Sequence, residues 1–370
     1  MHIPFCKQAC YYCDFHFSTN ISVKNEMLLC IAKELELQRN YITNSKASTI
    51  YFGGGTPSLL EIVEIKSLLK AIINCYKFDT NVEITLEANP DDLTLEKLSE
   101  LKSIGINRLS IGVQSFQDKN LSYLNRVHNS QTAINAVFLA RKAGFTNLSI
   151  DLIYGIPGST NEMWKNDLLT AISLNPEHIS AYCLTIEKKT VFGNWQKHNK
   201  LTPETEDNII YQFKTLVKLL TINSYEHYEI SNFCKPGLYS VHNMNYWKNQ
   251  VYLGVGPGAH SYNKETRQYN IANNHLYLKN IREGIVPCTI ETLTIKDHIN
   301  EYILTNLRTQ WGCDLNWIKN SFKYDLQKEK QEYLDYLNYN NIAIIDEGSL
   351  ILTLKGKLLT DKIISDLFLI

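Results

Sequence analysis

The sequence predicts an α/β fold: a partial (βα)6 TIM-like barrel followed by a small C-terminal winged-helix-like α+β domain. Three observations predict it. Short apolar runs alternate with amphipathic stretches from residue 20 to about 185, the pattern of parallel βα units. Polar and glycine-rich residues collect just after each apolar run. Helical patterns and then a hairpin close the chain.

The elements follow in order. HIPF, from His2 to Phe5, is the stub of a first strand. Glu26 to Arg39 is a helix, with Met27, Leu28, Ile31 and Leu35 near a 3.6-residue period. STIYFGGG (48–55) is a buried strand ending in glycines, and a helix follows around Leu59 to Cys75. VEITLEANP (82–90) is a strand stopped by Asn89-Pro90, and Thr94 to Ile104 is a helix ended by Gly105. RLSIGVQS (108–115) is a strand, and Thr132 to Ala143 a helix closed by Gly144. NLSIDLIYGIPG (147–158) is a strand running into a turn, with a helix from Glu162 to Ile172. HISAYCLT (178–185) is a strand and Thr205 to Leu220 a helix. Six βα units are too few to close an eight-fold barrel, so one side stays open for a large substrate.

The barrel is expected over 1–225 and a bridging segment over 226–289. YEHYEISNF reads as one more strand, and HNMNYWKNQVYLGVGPGAHSY (242–262) as irregular structure. The third segment, 290–370, is helical, with a hairpin turning at Glu347-Gly348 and a last helix from Gly356. A winged helix suggests DNA, but no basic stripe accompanies this one, and no nucleic-acid partner is expected.

Composition narrows the classes further. The chain has 370 residues, enough for a large core, and a formal net charge of -1, so no basic field attracts polyanions. No apolar run is long enough to span a membrane, and no signal-peptide pattern follows Met1. Nine cysteines without an export signal predict a reducing, cytoplasmic setting. Six of them (Cys30, Cys75, Cys183, Cys234, Cys288 and Cys313) are scattered and read as buried small hydrophobes.

The other three sit together at the start, as Cys6, Cys10 and Cys13 in MHIPFCKQACYYCDF. C-x3-C-x2-C can be half of a zinc site or the ligand set of an iron–sulfur cluster. Structural zinc takes four ligands. No second knuckle is present, and His16 is the one nearby candidate. Three thiolates on a [4Fe–4S] cluster leave one iron free, and an open metal position is a catalytic one in general. Gly53, Gly54 and Gly55 let backbone approach a ligand closely. Glu87 ends a buried strand and can accept from an amine or hydroxyl. Gln114, Arg126 and Asp151 lie at or after strand ends, and Arg126 can form a fork with a carboxylate.

With these motifs in order, the chain resembles the radical S-adenosylmethionine superfamily. Within it, HIPFC, GGGTPS, LEANPDD, RLSIGVQSF, DLIYGIPG and HNxxYW with GxGxGAHS resemble the oxygen-independent coproporphyrinogen oxidase and haem chaperone (HemN/HemW) family. The resemblance covers nearly the whole chain. It implies that Cys6, Cys10 and Cys13 hold a [4Fe–4S] cluster, with the amine and carboxylate of S-adenosylmethionine on the free iron. Electron transfer would then give a 5′-deoxyadenosyl radical. One S-adenosylmethionine is implied near Gly54 and Glu87. A second, or an equivalent ligand site, is implied near Tyr12, Gly55, Thr56, Gln114, Arg126 and Asp151. A tyrosine six residues before the first cysteine also serves that site in related proteins, and this position would precede Met1.

The family has two functions. The oxidase converts two porphyrinogen propionates to vinyls by radical decarboxylation, and its motif continues C-x-x-C-x-C. Here Phe15 stands at that last position, and the oxidase's longer N-terminal extension is not in this sequence. The resemblance therefore implies the chaperone branch, which binds haem and passes it to an acceptor protein, without coproporphyrinogen oxidase activity. The alternative is the oxidase itself. His242 in HNMNYW is the candidate axial haem ligand, with flanking aromatics to stack on a porphyrin. An electron donor, a haem acceptor and peripheral membrane contact during delivery are the further partners implied.

Overall fold

The computed structural model describes residues 1–42 and 46–369. Its main sheet starts with strands β1 (His2–Ile3), β2 (Ala47–Gly54), β3 (Phe78–Ala88), β4 (Arg108–Gln114), β5 (Leu148–Tyr154) and β6 (His178–Cys183). These six are parallel and adjacent in sequence order. Strands β7 (Glu226–Glu229) and β8 (Asn232–Cys234) then add antiparallel, in the order β6-β8-β7. Strands β1 and β7 are the two edges, so the sheet stays open.

Helices α1 (Lys24–Leu37), α2 (Ile62–Cys75), α3 (Leu95–Ser103), α4 (Asp118–Tyr123), α5 (Ser130–Lys142), α6 (Asn161–Ser173), α7 (Val191–Lys197) and α8 (Glu206–Ile222) connect these strands. Their starts are specified locally. Thr94, Asn129, Thr160 and Thr205 each accept the backbone N–H three residues on, which satisfies an otherwise orphaned donor.

Strand β4 shows how the sequence splits the barrel into two faces. Leu109, Ile111 and Val113 are fully buried in the main apolar core. The alternate residues, Arg108, Ser110, Gly112 and Gln114, line an internal cavity. The two-residue strand period makes this division, and it leaves the barrel interior polar.

Beyond the sheet come α9 (Val241–Trp247), the antiparallel strands β9 (His260–Tyr262), β10 (Thr266–Asn270) and β11 (Cys288–Thr292), and α10 (Asn274–Arg282). The rest of the chain forms α11 (Ile295–Asn306), β12 (Cys313–Asp314), α12 (Leu315–Phe322), α13 (Leu326–Glu329) and α14 (Gln331–Tyr339). It ends in β13 (Ala343–Asp346), β14 (Ser349–Leu352), α15 (Leu354–Lys357) and α16 (Thr360–Leu367). This last part has its own core, with Ile303, Ile318, Leu337 and Leu367 among the buried residues. Its hairpin turns through Glu347 and Gly348, at φ 47° and 85°, the left-handed pair that matches strand twist. No helix among the described residues is long and apolar enough to cross a membrane.

The structure differs from the sequence reading in three places. The 225–233 run is two strands, not one, and both belong to the barrel sheet. Residues 242–262 are not wholly irregular, because α9 begins at Val241. Its first N–H groups, on Val241 and His242, donate to the Glu83 carboxylate from another strand. The Glu83 contact has no local sequence signal, whereas Ser240, which accepts from the Asn243 N–H, is an ordinary N-cap. Of the six scattered cysteines, Cys30, Cys234 and Cys313 are buried, whereas Cys75, Cys183 and Cys288 are half-buried.

Candidate functional site

The cavity of about 620 Å³ runs through the barrel interior. Its volume is in the range of small-molecule sites. One end is covered by the loop that carries Cys6, Cys10 and Cys13, all three of which line the cavity. The other end is covered by α9. There His242 bonds to Thr49 near the start of β2, and Asn245 bonds to Ser48.

Strand β1 sets where the cysteine loop starts. Its backbone is laid directly against the triple glycine. A Cβ on Gly55 would come within 2.6 Å of the Phe5 carbonyl oxygen, and one on Gly54 within 2.3 Å of the His2 ring. Gly54 also has φ +107°. The glycines thus allow the first strand to pack, and Gly54 and Gly55 line the cavity as well. The GxGxGAHS stretch backs β1 from the other side. The N–H of His2 donates to the Val255 carbonyl, and a Cβ on Gly256 would come within 2.4 Å of the His2 carbonyl oxygen.

Polar contacts tie two of the cysteines together. Thr56 donates to the Cys6 sulfur at 3.4 Å, and its hydroxyl accepts from Asn89. Asn89 accepts from Arg126 Nη2 at 2.6 Å, and Arg126 Nη1 donates to the Cys10 sulfur at 3.4 Å. Arg126 Nη2 also donates to the Gly112 carbonyl, while its Nε is buried without a partner. Burial, helped by the neighbouring thiols, pushes the Cys13 thiol up to about 11 and raises Cys6 too. Without metal, the Cys6 and Cys13 thiols are therefore protonated at neutral pH. Burial also raises the Tyr12 hydroxyl, beside Arg126 and Cys10.

The donor set fits a cluster better than a single ion. A mononuclear site gathers its ligands about one point, at about 2.3 Å for zinc–sulfur. Among the described residues no group of three His, Cys, Asp or Glu side chains does so. A [4Fe–4S] cluster instead takes one thiolate per iron, so its ligands need not converge. His16, the zinc candidate, bonds to Asn274 at 2.7 Å and does not line the cavity.

Comparison with known proteins agrees with this geometry. The radical SAM superfamily model matches residues 1–171. The heme chaperone HemW of Lactococcus lactis is 35% identical over 361 residues, covering 96% of this chain and 93% of that one. The heme chaperone HemW of Bacillus subtilis is 34% identical over 366 residues, covering 98% and 97%. The chain belongs to the HemW family. Coproporphyrinogen III oxidase (HemN) from Escherichia coli superposes with a TM-score of 0.85 at 24% identity, covering 99% of this chain and 88% of that one. That likeness shows the fold, which is the radical SAM partial barrel.

In this HemW-family cavity the acids sit below the cysteine loop. Glu87 accepts from the Tyr51 hydroxyl at 2.7 Å and the Gly54 N–H at 3.2 Å. Burial nevertheless pushes its carboxyl up to about 7. Asp151 accepts from Ser110 at 3.0 and 3.1 Å, and from Ser149, and burial raises it as well. Gln114 closes β4 at φ 69°, a left-handed conformation uncommon outside glycine and frequent at functional sites. Phe15 is 73% exposed on the rim.

His242 stacks on Tyr51 at 4.5 Å and 16°, with Tyr246 edge-on to its other side. Its Nδ1 is bonded to Thr49 at 2.8 Å, and its Nε2 has no partner among the described residues. Burial pushes the imidazole down to about 3, so it stays neutral across the physiological range. A neutral, oriented imidazole with one free nitrogen is what a metal ligand requires.

Two residues of this site were missed in the sequence, Asn89 and Arg108. Asn89 was read as a strand stop and among the polar residues that follow the strands, with no role of its own. Arg108 was legible in principle, because RLSIGVQ alternates polar and apolar and places it on the same face as Ser110 and Gln114.

Proposed function

We propose that this chain is a haem chaperone: it binds haem in the barrel cavity through His242 and passes it to an acceptor protein. The observation that carries the reading is the His242 imidazole, neutral, oriented by Thr49 and free at Nε2, in the same cavity as three free cysteines. The names of the full-length relatives support it. Cys6, Cys10 and Cys13 would hold a [4Fe–4S] cluster. When bound, this cluster supplies an electron to the sulfonium of S-adenosylmethionine.

The protein's own groups have separable tasks. Arg126 places positive charge beside Cys10, where a thiolate gains most from it. Thr56 orients the Cys6 sulfur. Gly54, Gly55, Thr56, Tyr12, Gln114 and Asp151 would line the S-adenosylmethionine site, with Glu87 accepting from an amine or hydroxyl. Phe15 supplies no fourth thiol on the rim, which supports haem handling over coproporphyrinogen decarboxylation.

The deciding experiment compares haem titration and coproporphyrinogen turnover on the same anaerobically reconstituted protein. Haem binding without turnover is expected. His242→Ala should weaken haem binding about tenfold or more while retaining iron and sulfide. Turnover of coproporphyrinogen, or unchanged haem titration in His242→Ala, would overturn the corresponding half of the reading.

Glu87 gives a pH test. With a folded pKa of about 7 it is partly protonated at neutral pH. A ligand donating from an amine or hydroxyl favours the ionised carboxylate, so binding must expel that proton below pH 7. Affinity for S-adenosylmethionine is expected to fall as pH drops from 7 to 5, by at most about tenfold per unit. Glu87→Gln should bind more weakly and without that slope. An identical slope in the variant would remove Glu87 from the site.

A further inference from the structure

Arg108 opens the barrel strand β4 and lines the cavity near the end covered by α9. Its side chain is only 3% exposed. Among the described residues its guanidinium makes no hydrogen bond. The nearest carboxylate, Glu83, lies 4.0 Å from Nε, beyond hydrogen-bond distance. That carboxylate already accepts from the Val241 and His242 N–H groups. Arg126 differs, because both of its terminal nitrogens are bonded within the protein. A guanidinium carries five donors in a fixed fork. Leaving them unfilled in a buried place is costly. The cavity wall it shares offers the neutral polar groups Ser110, His178, Ser180, Asn232 and Asn243, while Asp151 is an acid on that wall and Glu83 the acid beside it. A planar anion therefore fits here.

We propose that Arg108 is the carboxylate anchor of the cavity, holding a propionate side chain of the bound tetrapyrrole. The assignment rests on the haem reading above and adds what in the ligand is recognised. Glu83 links the two contacts: it bonds the N–H of His242, whose imidazole would hold the iron, and it lies beside Arg108. Axial ligation and propionate binding thus share one end of the cavity. The cysteines are at the other. Along β4, Arg108 is six residues from Gln114, about 20 Å at 3.3 Å per residue. Gln114, at the far end of the strand, is thus beyond its reach.

The test titrates the full-length protein with haem and with haem dimethyl ester, whose two carboxylates are blocked. Wild type is expected to bind haem about tenfold or more tighter than the diester, the scale of a charge-assisted pair. Arg108→Gln should lose that factor for haem and bind both forms alike, while Arg108→Lys retains part of the preference. Melting curves report whether the variants fold. If Arg108→Gln does not fold, the wild-type comparison still decides. Equal binding of haem and diester by wild type overturns the assignment alone. So does an unchanged haem-to-diester ratio in Arg108→Gln. A wild type that takes up neither form overturns both this assignment and the haem reading.

Discussion

Cys13→Ala is expected to fold normally and to lose its iron. Anaerobic reconstitution of wild type should give about four irons per chain and a broad absorbance near roughly 400 nm. The variant should retain less than about one iron and lose that band. The fold should persist because Cys13 is half-buried and stands outside the apolar clusters that hold the barrel. Cys6→Ala and Cys10→Ala should behave alike, since a cluster with two thiolates has two open irons and hydrolyses readily. Two controls sharpen the result. Cys75→Ala, far along the chain and half-buried on α2, should retain full iron. His16→Ala should also retain it, because its ring holds Asn274 rather than the cavity. Zinc at one per chain with no iron in wild type would refute the cluster and return the motif to a zinc reading.

The legible part of this protein was the part written with short periods. The parallel strands, their helices and the C-terminal hairpin follow from apolar spacing, Thr and Asn caps and the Glu347-Gly348 turn. The cysteine motif was legible because its ligands are neighbours in sequence. What the sequence hid is held together across long separations. Helix α9 has a local cap in Ser240, but its first two N–H groups are accepted by Glu83, 158 and 159 residues earlier. Strand β9 lies in the 242–262 stretch read as irregular, because it is three residues long and follows the glycines of GxGxGAHS. The triple glycine was read for ligand approach. In the structure the Cβ positions of Gly54 and Gly55 are taken by His2, Ile3 and Phe5, in and just after β1, and that of Gly53 by Tyr51 and Glu87. The position of Arg108 on the cavity face was legible from the RLSIGVQ alternation, but its lack of a hydrogen bond among the described residues was not.

Glu34 makes the same point and gives the largest stability effect expected. It lies on α1, fully buried, with no basic side chain bonded to it. Instead its carboxylate accepts from the Gly256 N–H at 2.8 Å, Asn270 Nδ2 at 2.6 Å, Gln38 Nε2 at 2.7 Å and the Tyr277 hydroxyl. Burial raises its carboxyl, and those four donors pull it back down. One side chain thus joins α1, the GxGxGAHS loop, β10 and α10. Glu34→Ala leaves these donors facing a void, at roughly 1–3 kcal/mol for each one left unsatisfied. Some will find water, so a loss of about 3–5 kcal/mol is expected in urea unfolding. Glu34→Gln keeps the volume and one acceptor oxygen but turns an amide donor toward existing donors, so it should lose about half as much. The consequence reaches the cysteines. Gly256 backs His2, and His2 opens the strand that leads to Cys6. A Glu34→Ala protein that still folds at low temperature should therefore reconstitute less iron than wild type, although no cysteine was touched. Stability within about 1 kcal/mol of wild type would show that the network is replaceable, and that β1 is held by its pairing with β2 alone.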